Sequence, residues 1–389
     1  MRDKDSGKIG QFLFDISKIV EGAANGDYEK VLAYAGQLGD RLKAAGEKEA
    51  AKRINEILNR SKAKKLSLAR ATPGNESSPA TPVDSESRMP TADVEYWDVG
   101  QVPLYLPEDT RKDVDRFLQY LRAADRLIAS GVGISPSMLI YGPPGCGKTQ
   151  LARFIASELK LPLVTARTDG LISSYLGSTA KNLRALFEHA ASRPCVLFLD
   201  EFDALAKMRD DGRELGELKR VVISLLQNID ALGRDHVLLA ATNHEHLLDP
   251  AIWRRFAFTQ RISEPDEAAR ILMLRHFLRG YADEESIKLL AAMTDRLSGA
   301  ALRQLAEDAV RDAVLSEAKV ISLPQLAESL LALTGARQEN FSSLATADKI
   351  KLIKARNPDK LRQRELARIF DISQPRVSQI LREQEVFNG

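Results

Sequence analysis

Gly142-Pro143-Pro144-Gly145-Cys146-Gly147-Lys148-Thr149 has the spacing G-x-x-x-x-G-K-[ST]. It lies between an apolar run, Met138-Leu139-Ile140-Tyr141, and a stretch with helical spacing, Gln150-Leu151-Ala152-Arg153-Phe154-Ile155. Strand, loop and helix in that order form the context in which such a loop binds phosphate. The glycines let the backbone curl so that its N–H groups point at phosphate oxygens, and the helix start adds a positive dipole end. Lys148 supplies a full charge, and the Thr149 hydroxyl suits Mg²⁺. Gly142 through Gln150 is therefore the candidate site for a nucleoside triphosphate.

Outward from this loop, four more β-type runs alternate with helical segments: Pro162 to Thr165, Cys195 to Leu199, Val237 to Ala240, and Phe258 to Ile262. Such alternation predicts an α/β fold with a parallel sheet covered on both faces and ligands at the carboxyl ends of its strands. The run Cys195-Val196-Leu197-Phe198-Leu199 ends in Asp200-Glu201. A carboxylate at a strand tip can hold Mg²⁺, and its neighbour can polarise an attacking water. The next run ends in Thr242-Asn243, which puts an amide where it could orient the same water. His244 and His246 follow, with no third ligand in view for a metal site. Arg254-Arg255 could pair with surface acids or reach the γ-phosphate of a neighbouring subunit, where such a residue contributes about 10³ to 10⁵ in rate.

Taken together, Gly142 to Thr149, Cys195 to Glu201, Ala240-Ala241-Thr242-Asn243 and Arg254-Arg255-Phe256 resemble the Walker A, Walker B, sensor 1 and arginine fingers of an AAA+ ATPase. Among its branches the chain is most similar to the AAA unfoldase group, which includes katanin, the ESCRT-disassembly ATPases and the proteasomal ATPases. The resemblance covers roughly Leu104 to Leu333. It implies ATP and Mg²⁺ as cofactors and a ring of identical subunits, usually six. Thr149 and Asp200 would hold the metal, Glu201 would activate water, Asn243 would orient it, and Arg254 and Arg255 would act on the neighbouring subunit. It also implies a first pore loop at Ser173-Ser174-Tyr175-Leu176-Gly177, with Tyr175 and Leu176 gripping a threaded polypeptide, and a second at Met208 to Arg220. Where the family enters its small lid domain with S-G-A-D, this chain has Ser298-Gly299-Ala300-Ala301. A further resemblance is to bacterial ATPases encoded beside subtilisin-like peptidases in anti-phage defence, so a separate peptidase is an expected partner.

The flanks are of a different character. Residues 1–60 have helical spacing (Phe12, Ile16, Ile19; Val31, Tyr34, Leu38) and predict a small bundle, either an adaptor for a partner or an oligomerisation domain. Residues 61–103, rich in Ser, Pro and Thr after Lys62-Ala63-Lys64-Lys65, predict a flexible linker. The ATPase would occupy 104–265 as its large α/β part and 266–336 as its helical lid. From 345 to 389, Gln363 to Phe370, the turn Asp371-Ile372-Ser373 and Gln374 to Arg382 resemble a helix-turn-helix. Gln374, Arg376, Ser378 and Gln379 would then face DNA base edges; a protein-docking module fits the same pattern.

Composition bounds these readings. The 389 residues are 44% hydrophobic and 28% charged, with a formal net charge of +2, too small to argue for nucleic acid globally. Only Cys146 and Cys195 are present, so neither a disulfide framework nor a zinc site is indicated. No apolar run is long enough to cross a bilayer, and a cytoplasmic protein is expected. The function expected is an ATP-hydrolysing ring that remodels or threads a protein and is tethered to DNA. A DNA-handling ATPase that regulates transposition or replication is the alternative.

Overall fold

The computed structural model describes residues 12–24, 28–69, 83, 90–171, 176–192, 194–206, 215–232, 236–335, 345–356 and 361–385. Two compact units share the chain: residues 1–103, 112–141 and 149–261 form the first, and residues 104–111, 142–148 and 262–389 the second.

The first unit begins with helices α1 (Leu13–Ala24), α2 (Tyr28–Ala44) and α3 (Lys48–Ala69). They pack in sequence around Phe12, Tyr34, Leu38 and Ala51. The expected inward stripe is altered at one point: Ile16 is exposed and Asp15 is buried, its carboxylate accepting from Arg41 at 2.9 Å. Burial raises the Asp15 pKa and Arg41 acts against that rise. The helix α3 runs past the point at which a linker is expected, to Ala69, and Ala92–Glu95 forms a strand, β1.

Helices α4 (Glu108–Arg122) and α5 (Ala124–Ala129) follow where helical spacing runs from Leu106 to Ile128 and predicts a single amphipathic helix, and Val114, Phe117 and Leu118 form the buried stripe of α4. The sheet continues with β2 (Ser137–Tyr141), β3 (Leu163–Ala166), β4 (Val196–Leu199), β5 (Val237–Thr242) and β6 (Phe258–Arg261). Its order is β1-β3-β4-β5-β2-β6, with β1 antiparallel to β3 and every other pair parallel. The chain therefore has the expected α/β parallel-sheet fold. Between the strands lie α6 (Lys148–Leu159), α7 (Thr168–Leu171), α8 (Leu176–Ala191), α9 (Phe202–Ala206), α10 (Leu215–Ala231) and α11 (Pro250–Trp253). Strands β2 and β4 are apolar along most of their length because helices cover them: Leu139, Leu197 and Leu199 join Leu183, Leu186, Leu225 and Ile252 in one core. The parallel register sets the ends of β4 and β5 side by side, with Leu199 opposite Ala240.

The second unit is helical: α12 (Glu267–Phe277), α13 (Glu284–Met293), α14 (Gly299–Leu315), α15 (Leu323–Gly335), α16 (Thr346–Arg356), α17 (Gln363–Ile369) and α18 (Gln374–Glu385). Asp266, Asp283 and Ser298 cap α12, α13 and α14 by accepting backbone N–H groups of the first turn. Helices α12 to α15, where a lid is expected, and helices α16 to α18 belong to the same compact unit. Leu274, Leu290, Leu305 and Leu330 share one hydrophobic core with Ile350, Ile353, Leu366, Val377 and Ile380.

Candidate functional site

The loop between β2 and α6 holds a conformation that only glycine tolerates. Gly142 has φ +138°, and a Cβ there would lie 2.0 Å from the Ile262 carbonyl oxygen. Gly145, at φ +74°, would place a Cβ 3.0 Å from both Ser298 Oγ and Ala300 Cβ, and Gly147 is at φ +101°. The Gly145 carbonyl accepts from the Ala300 N–H at 2.9 Å, which ties the loop to the first turn of α14. Lys148 is buried, its ammonium donating to the Gly142 and Pro143 carbonyls at 2.8 Å each. A loop so pinched and closed by a lysine fits a polyphosphate, whose oxygens would take over from those two carbonyls. Cys146 is also buried; that burial, with the charge of Glu264, raises its thiol pKa, against the pull of Lys148.

The residues expected to bind metal and to hydrolyse ATP, from Thr149 to Arg255, lie in the first unit. Thr149 Oγ1 donates to Asp200 Oδ2 at 2.8 Å, so the hydroxyl and the carboxylate that suit Mg²⁺ already meet. The Glu201 N–H donates to the other oxygen, Asp200 Oδ1, at 2.9 Å. Glu201 itself is exposed and sits at φ +49°, a left-handed conformation that costs a non-glycine residue about 1–3 kcal/mol. Asn243 follows the last residue of β5 and is half-buried. Gln150 points elsewhere, its side-chain amide donating to the Pro103 carbonyl at 3.3 Å.

The two arginines differ. Arg254 is exposed, whereas Arg255 donates to the Ala251 carbonyl at 3.1 Å and to Asp230 Oδ2 at 3.2 Å within its own chain. Tyr175 lies outside the described residues, and Leu176 is the first residue of α8. Of the expected second pore loop, 208–214 lies outside them and 215–220 belongs to α10. His244 and His246 have ring centroids 5.9 Å apart, and no cluster of three or more metal-ligating side chains occurs among the described residues. No helix among them is long and apolar enough to cross a membrane.

Towards the C terminus, α17 and α18 are joined by a turn in which Asp371 takes φ +51°. Gln374, Arg376 and Gln379 are exposed, Ser378 is half-buried, and Val377 and Ile380 face the core. Arg376 donates to Gln379 Oε1 at 2.8 Å, and Gln379 to Glu383 Oε1 at 3.2 Å. Lys349, Lys354 and Arg368, which would count towards a basic face, are bonded to Glu328, the Leu361 carbonyl and Glu285.

Two residues beside these candidates in sequence, Thr242 and Asp203, have no role in the sequence reading. Thr242 Oγ1 donates to Asp203 Oδ1 at 2.7 Å, joining the end of β5 to the helix that follows Glu201. The signals were an acid two residues beyond Glu201 and a hydroxyl immediately before Asn243.

Residues 138–264 match the family of ATPases associated with various cellular activities (AAA). An uncharacterised AAA family ATPase of Sinorhizobium fredii is 51% identical over 158 residues, 41% of this chain and 47% of that protein. The ATP-dependent zinc metalloprotease FtsH of Thermus thermophilus is 33% identical over 231 residues, 57% of this chain and 37% of that protein. The chain thus spans less than half the length of these curated relatives. Among solved structures, the AAA domain of FIGL-1 superposes with a TM-score of 0.53 at 22% identity, covering 69% of this chain and 92% of that one, a likeness of fold. Over residues 138–264 the chain is therefore similar to the AAA ATPase family.

Proposed function

We propose that this chain hydrolyses ATP as a ring of identical subunits and uses the energy to remodel or thread a protein. The observation that carries the reading is the 2.8 Å bond from Thr149 to Asp200, with Glu201 next in sequence at the same strand tip. Gly142 to Lys148 would hold the phosphates, with Thr149 and Asp200 as metal ligands. Bound Mg²⁺ would supply positive charge to the phosphate oxygens. Glu201 would take a proton from the attacking water and Asn243 would orient that water. Exposed Arg254 is the better placed of the two arginines to reach a neighbouring subunit, because Arg255 is bonded to its own chain.

A protein substrate is supported by likeness to FtsH, by name an ATP-dependent protease, and by the placing of Tyr175 and Leu176 after the second parallel strand. A separate peptidase, and a place in anti-phage defence, extend that reading. The C-terminal helices would tether the ring to DNA through Gln374, Arg376, Ser378 and Gln379. The left-handed Asp371 supports this, since the turn of a helix-turn-helix commonly takes such a residue, usually glycine. The alternative, an ATPase that assembles on DNA, shares that module but has no need of Tyr175.

The test is Mg²⁺-dependent ATP turnover with and without unfolded casein. Wild type is expected to hydrolyse ATP and to be stimulated by casein, and Tyr175→Ala to hydrolyse without stimulation. No turnover by wild type would overturn the ATPase reading. Equal stimulation of Tyr175→Ala would overturn threading.

A further inference from the structure

The ends of β4 and β5 carry different parts of one reaction, Asp200 and Glu201 on the first and Asn243 on the second. Backbone pairing stops short of both: the last paired residues are Leu199 and Ala240. Beyond that point the two tips need another tie if Glu201 and Asn243 are to address the same water molecule.

The tie on the page is a pair of side chains. Thr242, the last residue of β5, is fully buried, and its hydroxyl donates to Asp203 Oδ1 at 2.7 Å. Thr242 Oγ1 in turn accepts the His244 N–H at 3.0 Å, closing a turn with Asn243 at its centre. Asp203 stands in the first turn of α9, two residues after Glu201, and that helix start is itself fixed: the Ala204 N–H donates to the Glu201 carbonyl at 2.8 Å. One hydroxyl therefore sets both the backbone around Asn243 and the distance from that backbone to the Glu201 segment. The bond is short and part-buried, so replacing it with a looser contact would let the tips move independently.

We infer that Asp203 and Thr242 are positioning residues for ATP hydrolysis, holding the turn that carries Asn243 against the strand end that carries Asp200 and Glu201. The inference rests on the ATPase reading above. Neither side chain touches substrate in this role; both act through Asn243 and Glu201. Nucleotide binding, which depends on the 142–149 loop, is untouched by it, and this separates positioning from general structural support.

The experiment compares Thr242→Val, Asp203→Ala, their combination and Thr242→Ser in the full chain. It reads kcat for ATP, affinity for a fluorescent ATP analogue, and melting temperature. Valine removes the hydroxyl at nearly constant volume, and serine keeps it. Turnover is expected to fall roughly 10- to 100-fold in each single variant, the scale set by small misplacements of catalytic groups and by loss of supporting hydrogen bonds. Affinity is expected to stay within about twofold, Thr242→Ser to recover to within about threefold of wild type, and the double variant to be no worse than the weaker single one. Turnover of both single variants within about twofold of wild type would overturn the inference, as would loss of affinity in step with kcat. If Thr242→Val does not fold, Asp203→Ala, on a half-buried position, decides the matter alone. Failure of wild type to hydrolyse ATP would instead remove the ATPase reading itself, so the two failures are distinguishable.

Discussion

At Gly142 there is no room for even a methyl group, since a Cβ would lie 2.0 Å from the Ile262 carbonyl oxygen and the backbone sits at φ +138°. Gly142→Ala must therefore move the loop or break its closure, at a backbone cost of about 1–3 kcal/mol before the clash is counted. We predict that this variant loses affinity for a fluorescent ATP analogue at least about tenfold and melts at a lower temperature; wild-type affinity would show that the pinched loop is not the binding conformation. The loop, Asp200 and Glu201 were legible in the sequence because each depends on local spacing: glycines before a helix, acids after an apolar run. The Thr242 bond to Asp203 was not legible, since it joins side chains 39 positions apart and exists only once β4 and β5 are neighbours. Arg254 and Arg255 read alike in sequence and separate only when Asp230 on α10 is seen to take Arg255.

Among the elements, β1 is the one the sequence concealed. It has four residues, two of them acidic, and follows a Ser- and Pro-rich stretch; the alternation Ala92-Asp93-Val94-Glu95 is there but too short and too poor in apolar residues to mark a strand. Its place is set by pairing with β3 and by Glu95, which accepts from Arg153 on α6 at 2.9 and 3.1 Å and from Trp97 Nε1 at 2.9 Å. Arg153 also lies 5.7 Å from the centroid of the Trp97 ring. The Arg153 hydrogen bonds hold the Glu95 carboxyl below its ordinary value of 4.5, and partial burial opposes them. A carboxylate with a depressed folded pKa adds stability that is present above its unfolded pKa and is lost as pH falls through the folded one. We therefore predict that Glu95→Gln speeds hydrogen exchange along β1 and β3 at pH 7, by about 1 kcal/mol of local stability after allowance for solvent screening. The difference from wild type should shrink progressively as pH falls below 4.5. An undiminished difference at low pH would show that the charge on Glu95 is not what holds the strand.

At the scale of the whole molecule, each unit has its own core, and the second extends further than the sequence suggested. Thr334-Gly335 and Gln338-Glu339-Asn340 suggest a linker before the last helices, and beyond it Ile350, Leu366 and Val377 share the core of Leu290 and Leu330. Lys349 pairs with Glu328 at 2.9 Å, and Arg368 with Glu285. Apolar spacing showed which faces of those helices are buried but not which element buries them, and such choices are made by packing between distant segments. The same unit includes residues 142–148, and the first turn of α14 is bonded to Gly145 among them.

Turnover by the intact protein tests the central claim most directly. ATP hydrolysis by wild type and by Glu201→Gln should be measured at saturating Mg²⁺, with bound nucleotide followed in parallel. The loss of a general base predicts a fall in kcat of at least about 100-fold in the variant, with nucleotide affinity retained. Hydrolysis by Glu201→Gln at the wild-type rate would contradict the assignment of this strand tip as the hydrolytic centre.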